Sequence, residues 1–282
     1  MSTPTASAGH FDPTAAGTRT GGLHMVLVFA GLSLALAAAA TLGGVPPALV
    51  PFVLAIGPLV FALIFAWREG DGAIRRLLAT ATKRPNRRAW YALIVLPVAW
   101  ALAVVVVAVA LGDPTPGVFD KVFPAIVIVP LIVLIPAFAE EIAWRGFAIT
   151  RLLPSMTPLA AALLLGIPWA AIHLFLQLPG QMNEGLEPVP TVVSLLGYSV
   201  ILTWAFVASG GSVLLVALIH GGLNGVAPLM AGLEVDRAWT IRAVLVAVIA
   251  VVVVLRGGLR DRRPHVMTAG APKTAAASTR SV

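Results

Sequence analysis

Long apolar runs alternate with short polar segments along most of the chain. The runs are about 20 residues long and lack the every-second-residue alternation of a barrel strand, so they predict membrane-spanning α-helices. Runs of this length predict eight spans, at residues 22–42, 46–67, 89–112, 123–147, 157–177, 191–208, 213–231 and 239–255. The predicted fold class is therefore all-α, a polytopic membrane protein with about eight transmembrane helices.

Composition agrees with this prediction. Of the 282 residues, 59% are hydrophobic and only 11% are charged, whereas soluble domains carry about 25% charged residues. The chain contains no cysteine, which excludes disulfides, thiolate metal ligands and a cysteine nucleophile.

The two ends of the chain differ from the apolar region between them. Residues 1–21 and 256–282 are rich in small and polar residues, and the second segment is also basic. Such composition is typical of disorder. We therefore expect disordered tails at both ends of a transmembrane helical domain at 22–255.

Charged residues are distributed unevenly between the predicted loops. The loop after the second span and the C-terminal tail are basic, whereas the loops 113–122, 178–190 and 232–242 hold six acidic residues and three basic ones, Lys121, Arg237 and Arg242. The positive-inside rule then predicts that both termini are cytoplasmic, in a multi-pass protein of the cell membrane. The net charge of +7 is interpreted as a topology signal and as contact with anionic membrane lipids, not as nucleic-acid binding.

The fourth span ends in charged residues that a plain membrane anchor would not need. Glu141 and Arg145 are four residues apart, so they share a helix face and can form an ion pair. Glu140 lies about 100° further around the helix, which leaves its carboxylate free for another role. The alternative is that all three residues lie at the membrane interface, where a charged side chain costs little free energy.

The fifth span places Trp169 and His173 on one face, four residues apart. A structural histidine is one interpretation. If the turn to the fourth span is at 154–158, Glu140 and His173 lie at nearly equal depth in an antiparallel hairpin of regular helices. This geometry favours a shared site.

The seventh span places His220 and Asn224 on one face, again four residues apart. Between them, Gly221 and Gly222 permit the close approach of a neighbouring backbone or of a substrate. The alternative is that the two polar side chains form hydrogen bonds between helices.

Together these motifs resemble the CPBP family, which comprises the type II CAAX prenyl endopeptidases and the bacteriocin-processing or abortive-infection proteins. The resemblance covers about residues 120–230. The motifs are Glu140-Glu141…Arg145, Trp169…His173 and His220…Asn224.

The resemblance implies an intramembrane endopeptidase that hydrolyses peptide bonds, with a substrate peptide or protein entering a cavity in the membrane. It implies that the cavity is lined by four catalytic residues, Glu140, His173, His220 and Asn224. It also implies a structural ion pair between Glu141 and Arg145. The family usually has Phe where this chain has Trp169, which is expected to line the pocket.

For the chemistry, we expect Glu140 to act as general base on a water that His173 orients. His220 and Asn224 would donate to the oxyanion, and no cofactor is required. A zinc-dependent protease remains an alternative, with Glu140, His173 and His220 as metal ligands.

Two further classes stay open: a non-catalytic bacteriocin-immunity or membrane interaction protein, and a proton-coupled transporter. The transporter is disfavoured because no internal repeat is visible. The Ala-, Val- and Arg-rich composition suggests a bacterial host. The physiological substrate and the oligomeric state stay open.

Overall fold

We analysed a computed structural model, which describes residues 19–116 and 123–260. All regular elements in these two ranges are helical. In chain order the α-helices are α1 Arg19–Leu42, α2 Val50–Arg68, α3 Ala73–Ala81, α4 Leu96–Ala110, α5 Phe123–Glu141, α6 Pro158–Leu174, α7 Pro188–Ala208, α8 Val213–Gly225 and α9 Val235–Arg256. The all-α polytopic prediction is therefore confirmed.

Other helical geometries extend four of these helices. A 3-10 helix, Arg88–Val95, precedes α4, and the change to α-helix coincides with a proline in the first turn of α4. A π-helix, Ile142–Ile149, continues α5, and a single turn, Thr150–Leu152, follows it. Short 3-10 helices follow α6 at Phe175–Gln177 and α8 at Ala227–Met230.

Seven helical segments in the described ranges are long and apolar enough to cross a membrane. They coincide with every predicted span except the fourth, 123–147, which corresponds to α5 and the start of the π-helix. The predicted tails lie almost entirely outside the described residues. One boundary differs, because α1 already begins at Arg19 and residues 19–21 therefore belong to a helix.

The most enclosed of the seven segments is α7, which packs extensively against α6 on one side and α9 on the other. By contrast, α4 and α9 are the least enclosed. Large aliphatic side chains are exposed on the outer helices, among them Leu27, Ile64, Val106 and Val248. In a membrane protein such surfaces contact lipid acyl chains, so the outer helices form the lipid-facing shell.

Ion pairs connect the helices at the two ends of the bundle. Arg151, in the turn between α5 and α6, donates to both carboxylate oxygens of Glu69 at the end of α2. At the opposite end, Asp113 is buried and accepts hydrogen bonds from the backbone N–H of Glu234 and from the guanidinium of Arg237. These contacts connect the end of α2 to the turn after α5, and the start of α9 to the segment that follows α4.

Small residues allow the central helices to approach closely. A Cβ on Gly221 in α8 would lie 2.8 Å from Leu134 Cδ1 and 3.3 Å from Leu134 Cα in α5. A Cβ on Gly222 would lie 2.9 Å from Pro97 Cγ in α4. The close approach that the sequence predicted at these glycines is therefore made by α5 and α4.

Candidate functional site

The site forms where α5 gives way to the π-helix. All residues from Ile142 to Ile149 are buried, and the transition directly follows the Glu140–Glu141 pair. π-Helical segments are rare and are frequently found at functional sites. The two adjacent carboxylates point to different neighbours, which gives the site two sides, one facing α6 and the other facing α8.

On the α8 side, Glu141 is fully buried and binds two partners through one oxygen. Arg145 Nη1 donates to Glu141 Oε1 over 2.8 Å, and His220 Nδ1 lies 2.8 Å from the same oxygen. The other oxygen, Oε2, is buried without a hydrogen-bond partner in the described part of the chain. The carboxylate thus joins the π-helix to α8, with Arg145 as its counter-charge.

On the α6 side, Glu140 is 8% exposed and is held by a neutral group. Trp169 Nε1–H donates to Glu140 Oε2 over 2.8 Å. Within the described ranges no cation forms an ion pair with Glu140. Its other oxygen has no partner among the described residues. Unlike Glu141, Glu140 has no cationic partner there and keeps some exposed surface.

His173 lies one turn beyond Trp169 on α6, with the two rings edge to face at 5.4 Å between centroids. Its Nδ1 is 2.8 Å from the backbone carbonyl of Trp169. A carbonyl oxygen can only accept, so Nδ1 carries the proton. In the neutral ring, Nε2 then has a free lone pair and can accept a hydrogen bond from water.

The ring of His220 also packs against Trp169, at 5.5 Å between centroids, so Trp169 lies between the two histidines. Because the Glu141 carboxylate accepts from its Nδ1, the Nε2 of His220 is available to a substrate. Asn224 lies one turn further along α8 and is exposed. The structure thus brings Glu140, Trp169, His173 and His220 together, whereas it gives no contact between Asn224 and these residues.

The hairpin differs in register from the sequence prediction. Regular α-helices would set Glu140 level with His173, but the Glu140 carboxylate binds Trp169, four residues nearer the turn. The π-helix between Glu140 and the turn holds more residues per turn than an α-helix, which shortens that arm of the hairpin. The site therefore lies closer to the turn than predicted.

The residues expected for zinc were Glu140, His173 and His220. Both histidines donate Nδ1–H to an oxygen, an arrangement typical of metal-bound histidines. However, among the described residues no three His, Asp or Glu side chains converge closely enough to hold a metal ion. The zinc-dependent alternative stays a prediction.

Two contacts of the site were missed from the sequence. The Glu141–His220 contact joins residues 79 positions apart, and no local spacing indicates it. Trp169 was expected only to line the pocket. Its indole N–H was a visible signal, since a buried tryptophan usually donates this group to an acceptor.

The helical bundle and its buried polar centre define a multi-pass membrane protein with an intramembrane site. Residues 121–226 match a family model described as type II CAAX prenyl endopeptidase Rce1-like. The resemblance to the CPBP family is thereby confirmed for this segment, which contains all the motif residues. The match supports a CAAX-protease-like endopeptidase in general. No curated protein matches the chain.

Proposed function

We propose that the protein is an intramembrane endopeptidase that hydrolyses peptide bonds with a water activated by Glu140. One observation carries the proposal. Of two adjacent buried carboxylates, Glu141 is bound by Arg145 and His220, whereas Glu140 is held only by the neutral indole of Trp169. A general base must be an available acceptor within hydrogen-bond reach of its water, and Glu140 meets this condition.

The attacking water binds between Glu140 and His173. It donates one hydrogen to the free oxygen of Glu140 and the other to Nε2 of His173. Both of its lone pairs then remain available, and one is directed at the carbonyl carbon of the scissile peptide. Glu140 takes the proton as the carbon–oxygen bond forms. It delivers that proton to the leaving amine when the carbon–nitrogen bond breaks, so no proton is lost or gained overall.

The oxyanion that develops at the carbonyl oxygen is stabilised from α8. The Asn224 amide donates one hydrogen bond, and His220 donates from Nε2 when its ring is doubly protonated. The carboxylate of Glu141, 2.8 Å from Nδ1, then supplies a counter-charge. No step of this mechanism uses a metal.

The substrate is a peptide or a membrane-anchored protein segment that enters between the helices in an extended form. The protein lies in a bacterial cell membrane with both termini in the cytoplasm. The natural absence of cysteine makes this topology simple to test. Single cysteines at Arg84 and at Thr115, both exposed, should be labelled by an impermeant thiol reagent from opposite sides of the membrane.

The function is tested with purified protein in lipid nanodiscs and a mixed peptide library, with new peptide ends identified by mass spectrometry. Wild type should cleave, Glu140→Gln should not, and neither preparation should contain zinc at one ion per chain. Activity that is lost with chelation and restored with zinc would support the metal-dependent alternative. Absence of cleavage by wild type, with Glu140→Gln complementing a deletion strain, would indicate a non-catalytic immunity or interaction protein.

A further inference from the structure

Arg242 is a cation within a membrane-spanning helix. The sequence placed it in an external loop, but it lies in α9, seven residues after the helix begins. Its depth along the helix is about 10 Å. In the described ranges the ion-paired arginines are Arg145, Arg151 and Arg237, and no carboxylate pairs with Arg242. An intramembrane charge without a counter-ion indicates a ligand site.

Aromatic side chains surround the Arg242 guanidinium and hold it in place. Its central carbon lies 4.3 Å from the ring centroid of Trp239, 5.3 Å from that of Tyr198 and 5.5 Å from that of Trp100. These contacts are cation–π interactions. Arg242 Nε donates to the Tyr198 hydroxyl over 3.0 Å, so the side chain is fixed in one orientation.

Several N–H donors of this cluster have no acceptor among the described residues. The Nε–H of Arg242 donates to Tyr198, but neither of the terminal guanidinium nitrogens donates to a described residue. The indole Nε1 of Trp100 is buried and also has no partner there. For the buried Trp100 indole the missing acceptor is unfavourable by about 1–3 kcal/mol. Arg242 is only partly buried, so its guanidinium stays accessible to a ligand. The cluster therefore presents donors and a positive charge to an acceptor from outside the chain.

The cluster is adjacent to the candidate site. Gln177, one turn after His173, donates to Thr191 Oγ1 over 2.6 Å, and Trp239, one turn before Arg242, donates to the same oxygen over 2.9 Å. This shared acceptor on α7 sets the His173 end of α6 beside the Arg242 turn of α9.

We propose that Arg242 binds a carboxylate of the peptide substrate, next to the scissile bond. The inference rests on the proposed peptidase function and adds a substrate class to it. A planar guanidinium binds carboxylates through two parallel hydrogen bonds, and this one is held rigidly by its aromatic neighbours. The carboxylate is either the free C-terminus of the peptide or an Asp or Glu side chain. Lipid phosphates are disfavoured because Arg242 lies inside the span rather than at its end.

The test uses peptides chosen from those that wild type binds, in versions that differ by one group. One version has a free C-terminus and another a C-terminal amide, and each is made with Glu and with Gln near the cleavage position. Binding to wild-type protein in nanodiscs is measured by competition, independently of cleavage. We expect the peptide version with the recognised carboxylate to bind about ten- to hundredfold more tightly than its neutral counterpart. Whether the affinity differs between acid and amide or between Glu and Gln shows if this carboxylate is the C-terminus or the side chain.

Variants assign the effect to this arginine. Arg242→Gln should reduce the preference for the carboxylate to less than about threefold, and Arg242→Lys should retain part of it, because Lys keeps the charge but loses the planar geometry. Arg256→Gln is the matched control, since Arg256 is exposed in the last turn of the same helix. It should keep the wild-type preference.

Other outcomes separate this inference from the proposed function. Equal binding of all peptide versions by wild type would overturn the carboxylate site while leaving a measured peptidase activity intact. Selective binding without any cleavage would contradict the peptidase proposal and retain the site. If Arg242→Gln changes only the response to anionic nanodisc lipids, the ligand is a lipid headgroup and the inference is wrong.

Discussion

The α6 side and the α8 side of the site contain the same kind of group in two environments. On the α8 side, Glu141 has no exposed surface and is bound by Arg145 and His220. On the α6 side, Glu140 keeps a small exposed fraction and is held by the indole of Trp169. The first arrangement neutralises a buried charge and connects two helices, whereas the second orients a carboxylate and leaves it able to react. In the proposed mechanism, these two adjacent glutamates therefore divide the work, Glu141 serving structure and Glu140 serving chemistry.

The largest expected effect is on the stability of the α8 side. Glu141→Gln leaves the guanidinium of Arg145, 2% exposed, without a counter-charge. Removing one partner of a buried ion pair destabilises a protein by about 3–5 kcal/mol. The unfolding free energy in mixed micelles should fall by that amount.

The matched control for this variant is Glu69→Gln. Its pair with Arg151 is partly exposed, so the loss should be at most about 1 kcal/mol. If both variants lose the same free energy of unfolding, Glu141 does not have the structural role that distinguishes the α8 side.

Asn224→Ala tests whether the α8 side also takes part in chemistry. Loss of one oxyanion donor lowers kcat by about 10²–10³, while an exposed side chain contributes little to folding. We expect a drop of this size in kcat with an unchanged unfolding free energy. Asn183→Ala, outside the site, should leave both quantities unchanged. If Asn224→Ala keeps the wild-type kcat, the α8 side has only a structural role.

Gly221→Ala tests the packing that brings the α8 side against α5. The added methyl group would meet Leu134, including its backbone at 3.3 Å, and overpacking of this kind destabilises by about 1–3 kcal/mol. Gly31→Ala in α1 is the matched control, because a Cβ there meets no atom within 4 Å. It should leave stability unchanged or raise it slightly, since Ala favours helix. Equal effects at the two positions would contradict the close approach.

The smallest expected effect is on the α6 side. Trp169→Phe keeps an aromatic ring between the histidines but removes the N–H that donates to Glu140. Kinetic measurements should show about a tenfold loss in kcat/KM, the equivalent of one hydrogen bond to a charged group. The unfolding free energy should also fall, by about 1–2 kcal/mol, because Trp169 is buried and the smaller ring leaves a cavity. An unchanged kcat/KM would mean that the indole does not position Glu140.

Much of this architecture was predictable from the sequence because its signals are local. Apolar runs of span length predicted the helices, and the four-residue spacing of Glu141 and Arg145 predicted which groups share a face. The π-helix was not predictable, since no simple periodicity distinguishes it from an α-helix. The bond between Trp169 and Glu140 and the contact between His220 and Glu141 depend on how distant helices pack, which residue spacing does not encode. Arg242 was assigned to a loop because its charge lies near the start of an apolar run.

The central claim is that Glu140 serves chemistry and not folding. The most direct measurement compares Glu140→Gln with wild type in both cleavage rate and unfolding free energy, on the best peptide from the library. Gln keeps the shape and can still accept from Trp169, but it cannot take a proton from water. We predict that kcat/KM falls by about 10²–10⁴, while the unfolding free energy changes by less than about 1 kcal/mol. A variant that cleaves as wild type does, or that unfolds as readily as Glu141→Gln, would contradict the account.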